Sequence, residues 1–132
     1  MRHPVLMDMD SGIMVPCNED LGLEFQEAEA GVARCLWTPS RRSINGNGVV
    51  QGGYIGAACD AAMGFALASR LENAEGFTSL NLTVTYHRPL HQEAVEARAE
   101  VVRVGRRTAY VEATLKMEGR LVASAVSTLL IL

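Results

Sequence analysis

Asp60 is the residue on which chemistry could turn. From Ser43 through Ser69 it is the only formally charged side chain, in a segment otherwise dense in Ala, Met, Leu and Ile. A buried carboxylate costs several kcal/mol unless it is paired or hydrogen-bonded, so a lone one in an apolar helix calls for a function. Upstream stand Asn45-Gly46-Asn47-Gly48 and then Gln51-Gly52-Gly53. A glycine pair that opens a helix leaves N–H groups unpaired at the positive end of the helix dipole, where anions and developing negative charge are stabilised. Acyl transfer needs a group that attacks or activates water, and a donor aimed at the oxyanion. Asp60 and Gly52 have those two capacities. The plainer reading of the glycines, backbone conformation and close packing alone, stands beside this one.

These residues need a helix to carry them. After Gly52, Tyr54, Ile55, Ala58, Ala62, Phe65 and Ala66 recur at three- and four-residue steps, which predicts a long helix ending around Asn73–Gly76. Gly56, Ala57, Ala61, Gly64 and Ala68 are small and allow other backbone to come close. Before it, Leu21, Leu23 and Phe25 alternate with polar residues as a strand, a turn near Ala28–Gly31 follows, and about Val32–Trp37 forms a second strand. Residues 1–20 read as irregular or as a short helix between Pro4 and Pro16, and Pro39 to Asn47 as loop. Four strand-like runs follow the helix: Ser79–His87, one from Val95 with its phase slipping at Val102 and Val104, one around Ala109–Leu115, and Leu121–Leu132 after a tight turn at Glu118-Gly119. Short connections imply antiparallel pairing, and four consecutive strands imply a meander. The expected architecture is α+β: a curved antiparallel sheet of about six strands wrapped around one long central helix.

Composition narrows the function. At 132 residues the chain is expected to be a single domain with a real core, residues 1–20 being an extension. A formal net charge of −3 gives no support to nucleic-acid binding. Asp60 among several glycines argues against a membrane span, and the acids of MRHPVLMDMD against a secretory signal. Cys17, Cys35 and Cys59 show no metal spacing, which reads as reduced thiols of a cytoplasmic protein with no metal. Cys59 beside Asp60 reads as packing rather than a nucleophile. Gly46-Asn47-Gly48 lacks the third glycine of a dinucleotide fingerprint, and no Lys-Ser/Thr follows Gly52-Gly53, which excludes a P-loop.

One family joins these features. Asn45, Gln51-Gly52-Gly53, Asp60, Ser79-Leu80-Asn81-Leu82, Tyr86-His87-Arg88-Pro89, Gly105-Arg106 and Leu121-Val122-Ala123 together resemble the hotdog-fold acyl-CoA thioesterases of the phenylacetate-degradation (PaaI-like) group, from about Leu21 to the C-terminus. The resemblance implies that Asp60 is the catalytic carboxylate, that the Gly52 N–H polarises the thioester carbonyl, and that Asn45 is the upstream amide of the site. It also maps the water-orienting hydroxyl onto Ser79, with Thr78 as the fallback. Gln51 replaces the family's His; it still donates and accepts but cannot titrate, which puts a proton-transfer role there in question. Coenzyme A enters as part of the substrate, and no separate cofactor is implied. Gly53, Tyr54, Met63 and Leu67 are expected along the acyl group. His87, Arg88, Arg103, Arg106 and Arg107 are expected to meet the coenzyme A phosphates or else to form a solvated basic rim.

Gly52 and Asp60 lie eight residues apart, roughly 12 Å along one helix axis. Both must approach one carbonyl, so the site is expected to be shared between two chains of a homodimer, with a further pairing into a tetramer implied by the resemblance. Two other classes remain: a non-catalytic acyl-CoA-binding or sensing protein, and an acyl-thioester dehydratase or hydratase. The latter uses a catalytic His, and Gln51 stands at the candidate position.

Overall fold

The computed structural model describes residues 2–72 and 75–132. Its elements run α1 (Pro4–Asp10), α2 (Pro16–Leu21), β1 (Leu23–Glu29), β2 (Val32–Trp37), α3 (Gly52–Arg70), β3 (Phe77–Ser79), β4 (Thr83–Tyr86), β5 (Val95–Val104), β6 (Thr108–Met117) and β7 (Arg120–Ile131). Pairing is antiparallel throughout, in the order β1-β2-β5-β6-β7, and β7 takes both β3 and β4 along its outer edge. Seven segments thus fill six strand positions. The sheet curls around α3, which packs on β1, β2, β5, β6 and β7, the arrangement expected of a hotdog fold.

Alternation decides the faces. Val95, Ala97, Ala99 and Val101 of β5 and Ala109, Val111, Ala113 and Leu115 of β6 are buried against the helix, while their charged neighbours face out. The expected slip in β5 is a bulge between Val101 and Arg103, which turns Val102 outward. Both tight hairpins use two left-handed residues, Ala30-Gly31 and Glu118-Gly119, whose twist suits right-twisted strands.

Several expectations are corrected. Leu21 ends α2 instead of opening β1, because Pro16 starts a helical turn that Gly22 closes at φ 81°. The first twenty residues carry two helices, not one. They are docked: Leu6 is buried, His3 Nε2 donates to the Glu75 carbonyl at 2.8 Å, and Trp37 Nε1 donates to the Leu21 carbonyl at 2.9 Å. α3 stops at Arg70 with Leu71 extended, short of the expected end; Asn73 and Ala74 lie outside the described residues.

The four late strands are not a simple meander. The first of them pairs with the last, β7, and β5 joins β2 instead. The eight residues 87–94 make this possible, since crossing β6 and β7 requires only about 14 Å of reach. Leu90 pins that crossing: it is buried, and its carbonyl accepts the Val50 N–H at 2.8 Å.

The run expected as one strand at Ser79–His87 is also broken. Leu80, Asn81 and Leu82 stand opposite only Ser127 and Thr128, so one extra residue bulges out. Buried Ser127 Oγ donates to the Asn81 carbonyl at 2.7 Å, and Asn81 Oδ1 accepts the Thr128 N–H at 3.1 Å. Ser127→Ala leaves that carbonyl without its partner. We expect a loss of about 1–3 kcal/mol of stability, measurable by denaturant unfolding; a change below about 0.5 kcal/mol would mean that the bulge does not depend on Ser127.

Candidate active site

α3 begins where the Ser40–Val50 loop ends. Gln51 is its N-cap, with φ −62° and ψ 134°, and its own N–H is taken by the Ser43 carbonyl at 2.7 Å. Among the described residues the N–H groups of Gly52 and Gly53 meet no acceptor, so two donors are presented at the positive end of a 19-residue helix. Tyr86 lies against this end, its hydroxyl donating to the Gly52 carbonyl at 2.8 Å. A Cβ at Gly52 would come within 2.7 Å of that hydroxyl, which is a packing reason for glycine at this position.

The two amides form a pair. Asn45 Oδ1 accepts the N–H of Asn47 at 2.9 Å and that of Val49 at 3.4 Å, so Nδ2 is the group that donates to Gln51 Oε1 at 3.0 Å. Gln51 thereby keeps its NH2 as a donor, next to Gly52.

Asp60 lies two turns further along. Ser79 Oγ donates to Asp60 Oδ1 at 3.1 Å across nineteen residues of sequence. Ser79, expected as the water-orienting hydroxyl, thus lies beside the carboxylate. Thr78, the fallback, alternates to the other side of β3 and pairs in register with Leu130. The bulge at Leu80–Leu82 lets β3 and β4 follow β7 as separate segments while Ser79 remains over the helix.

Asp60 is exposed, not buried as its apolar sequence surroundings suggested. Its isolation comes from position: with Gly53, Tyr54 and Ala57 it occupies the strip of α3 that the sheet leaves open. That strip forms one wall of a cleft of about 530 Å³, with Gln51 and Ala61. The facing wall is α2, through Cys17, Asn18, Asp20 and Leu21. Sequence reasoning missed this wall, because no periodic signal in residues 16–21 tied them to α3.

Met63 and Leu67 do not line the cleft. Both are fully buried, although at three and seven residues from Asp60 they lie on the same side of α3 one and two turns on, where the helix surface is covered. Gly56 is buried, a Cβ there meeting Leu82 and Val84, and Gly64 is half-buried against Phe77. Burial pushes the Cys59 thiol up to about 12, reinforced by the neighbouring Asp60 carboxylate, which leaves it protonated and inert at neutral pH.

The basic residues divide into two places. Arg88 and His87 line a hollow with Gly52, Tyr86 and Leu90 at the start of α3, and His87 Nε2 is 2.9 Å from Ser124 Oγ. Arg106 lies with Arg70 at the other end of the helix, roughly 27 Å along its axis. Arg103 and Arg107 are exposed on the same hairpin region. A single chain therefore does not bring Arg88 and Arg106 together. His3, His87 and His91 all lie outside the cleft. Among the described residues there is no group of three His, Cys, Asp or Glu placed to hold a metal ion, and no helix long and apolar enough to cross a membrane.

Residues 47–124, which include Gln51, Gly52, Asp60 and Ser79, match the Thioesterase superfamily. The chain is similar in structure to a conserved protein from Pseudomonas aeruginosa (TM-score 0.87, 27% identity, 92% of this chain and 98% of that one). It is also similar to a variant of the phenylacetic acid degradation protein PaaI from Thermus thermophilus, with TM-score 0.83 and 31% identity over 89% of this chain and 100% of that one. A thioesterase from Haemophilus influenzae shares the fold at TM-score 0.81 and 21% identity, over 88% of this chain and 82% of that one. No curated protein matches the chain at a significant level.

Proposed function

The chain belongs to the thioesterase superfamily, and from its site we propose that it hydrolyses an acyl or aryl-acyl coenzyme A thioester to the free acid and coenzyme A. The observation that carries this reading is Asp60, held by Ser79 at 3.1 Å and facing a largely apolar cleft that begins at a helix N-terminus. Asp60 acts as nucleophile or as general base on water, with Ser79 orienting its carboxylate. The Gly52 N–H holds the developing oxyanion, aided by the helix dipole, and the Asn45–Gln51 amide pair stands beside it. Gly53 and Tyr54 border the acyl group. Release of free thiol from a panel of acyl-CoAs is the test. Turnover of at least one member is expected; tight binding of acyl-CoA with no turnover would make this a binding or sensing protein.

The working unit in this proposal is a homodimer with shared sites. In one chain Gly52 and Asp60 are roughly 12 Å apart along α3, too far for one carbonyl. Among the described residues the outer edge of β4 is unpaired, and Leu80, Leu82 and Tyr86 beside it are 56, 39 and 52% exposed. An apolar open edge of this kind invites a second copy. Val102 and Tyr110, exposed on the convex face, support a further pairing into a tetramer. The free thiols and the coenzyme A substrate fit a cytoplasmic setting.

Arg106 and Arg107 would grip the coenzyme A phosphates from the hairpin end. Their Ala variants are expected to raise KM for acyl-CoA about tenfold while changing kcat less than about twofold, because phosphate contacts are remote from the scissile bond. The same variants should act normally on an acyl-pantetheine thioester, which lacks the nucleotide. Equal losses on both substrates would remove the phosphate role.

A further inference from the structure

The cleft carries one sign of charge. Asp20 on α2 and Asp60 on α3 line its facing walls, and among the described residues its lining includes no Lys, Arg or His. The wall that holds Asp20 belongs to a strongly acidic stretch. Between Pro4 and Ala33 the sequence has seven Asp and Glu residues and no Lys or Arg. The cations that flank this stretch are engaged elsewhere: Arg2 bonds Asp10, and Arg34 lies 3.4 Å from Glu27. Asp20 is exposed and meets no cation among the described residues.

Local structure gives no reason for an acid at this place. α2 runs from Pro16 to Leu21, so Asp20 stands in its last turn, where free carbonyls make a negative charge unfavourable. The position is nevertheless held. The next residue, Leu21, gives its carbonyl to Trp37 Nε1 at 2.9 Å, which ties the backbone beside Asp20 to the buried indole.

A fixed charge on a cleft wall sorts what enters. The arginines lie away from this wall, Arg88 beside Gly52 at the start of α3 and Arg106 beyond its far end. The anionic nucleotide of a coenzyme A thioester therefore belongs with the arginines, and the acyl group with the cleft. An acyl group bearing its own carboxylate would bring a third negative charge between Asp20 and Asp60, against walls that are largely apolar and screen little. A neutral acyl group of equal length meets no such repulsion, and one ending in an ammonium group gains a partner.

We propose that Asp20 is a specificity-determining residue, whose charge excludes ω-carboxylated acyl groups from the cleft and admits neutral or cationic ones. The inference rests on the hydrolase reading above and adds a charge rule to it.

The test compares kcat/KM for hexanoyl-, adipoyl- and 6-aminohexanoyl-CoA, which share a six-carbon chain and differ in terminal charge. The native chain is set beside Asp20→Asn, which keeps the shape, and Asp20→Lys, which reverses the charge. At low ionic strength the native chain is expected to favour hexanoyl over adipoyl by at least about tenfold. Asp20→Asn should narrow that gap about threefold and Asp20→Lys about tenfold, while the 6-aminohexanoyl-to-hexanoyl ratio falls in the same order. Raising the salt to about 0.5 M should shrink both native gaps, because the shared coenzyme A contribution cancels in each ratio and the remainder is screened. Unchanged ratios, or two arms that move in the same direction, would overturn the charge rule, since a change of shape does not distinguish sign. Calorimetry with the non-hydrolysable hexanoyl- and adipoyl-CoA thioethers separates the two layers of the claim. If the native chain hydrolyses none of the three thioesters, the hydrolase reading falls. The charge rule still stands if the hexanoyl thioether binds more tightly and Asp20→Lys closes the difference, and it falls with any other result.

Discussion

Asp60→Asn is expected to lower kcat for acyl-CoA by at least about a hundredfold, a loss of roughly 2.7 kcal/mol or more of transition-state stabilisation. Asn has the shape of Asp, and its side-chain oxygen still accepts the Ser79 hydroxyl bond that is 3.1 Å long in the native chain. What disappears is the negative charge and the capacity to take a proton or attack a carbonyl. The fold should be indifferent to the change: Asp60 is exposed, and no cation is bonded to it among the described residues. The expected pattern is therefore unaltered circular dichroism and melting temperature, KM within a few-fold, and collapsed kcat. A kcat within about tenfold of native would show that Asp60 is not the reacting group.

The second large effect is a recovery. Gly52→Pro removes the proposed oxyanion donor with little disturbance, because N1 of a helix is where Pro is best tolerated. Gln51 already has the extended backbone, φ −62° and ψ 134°, that a following Pro requires. The ring meets the Tyr86 hydroxyl, which belongs to the end of a half-exposed side chain and can swing away. Alone, this variant should be inactive, as should Asp60→Asn. Mixed in equal amounts and exchanged, half of the dimers are expected to be mixed. Each then joins one intact Gly52 to one intact Asp60 across the interface, and activity returns to about a quarter of native. If each chain held a complete site, the mixture would stay dead. Verified heterodimers without activity, or full activity from a monomer, would end the shared-site reading.

Much of the arrangement behind these expectations was legible before any fold. Period-two alternation in 95–101 and 109–115 identified strands and their buried faces, and Glu118-Gly119 identified a hairpin, because local sterics dictate both. The Gln51-Gly52-Gly53 opening marked the start of α3, and the lone charge of Asp60 marked the side that lines the cleft. Alternation was less informative about neighbours. It assigns a face to Leu80, Leu82 and Val84, but it cannot say that their strand runs along β7 and not β5, nor that a bulge at Asn81 divides it.

Sequence alone, then, determined which residues have the chemistry: a carboxylate, a pair of free helix N–H groups, two amides six positions apart, and a hydroxyl at 78 or 79. Tertiary structure decided which of them meet. Ser79 rather than Thr78 reaches Asp60, because sheet pairing orients alternate residues to opposite faces and only one face looks at the helix. Met63 and Leu67 went to the core and Asp60 to the open strip, because the cover over α3 changes along its length: the surface open at Gly53, Tyr54, Ala57 and Asp60 is closed one and two turns on. α2 became the second wall of the cleft through docking by Trp37 and His3. Contacts of that range depend on where the chain returns in space, which short-range sterics and hydrophobic period do not encode.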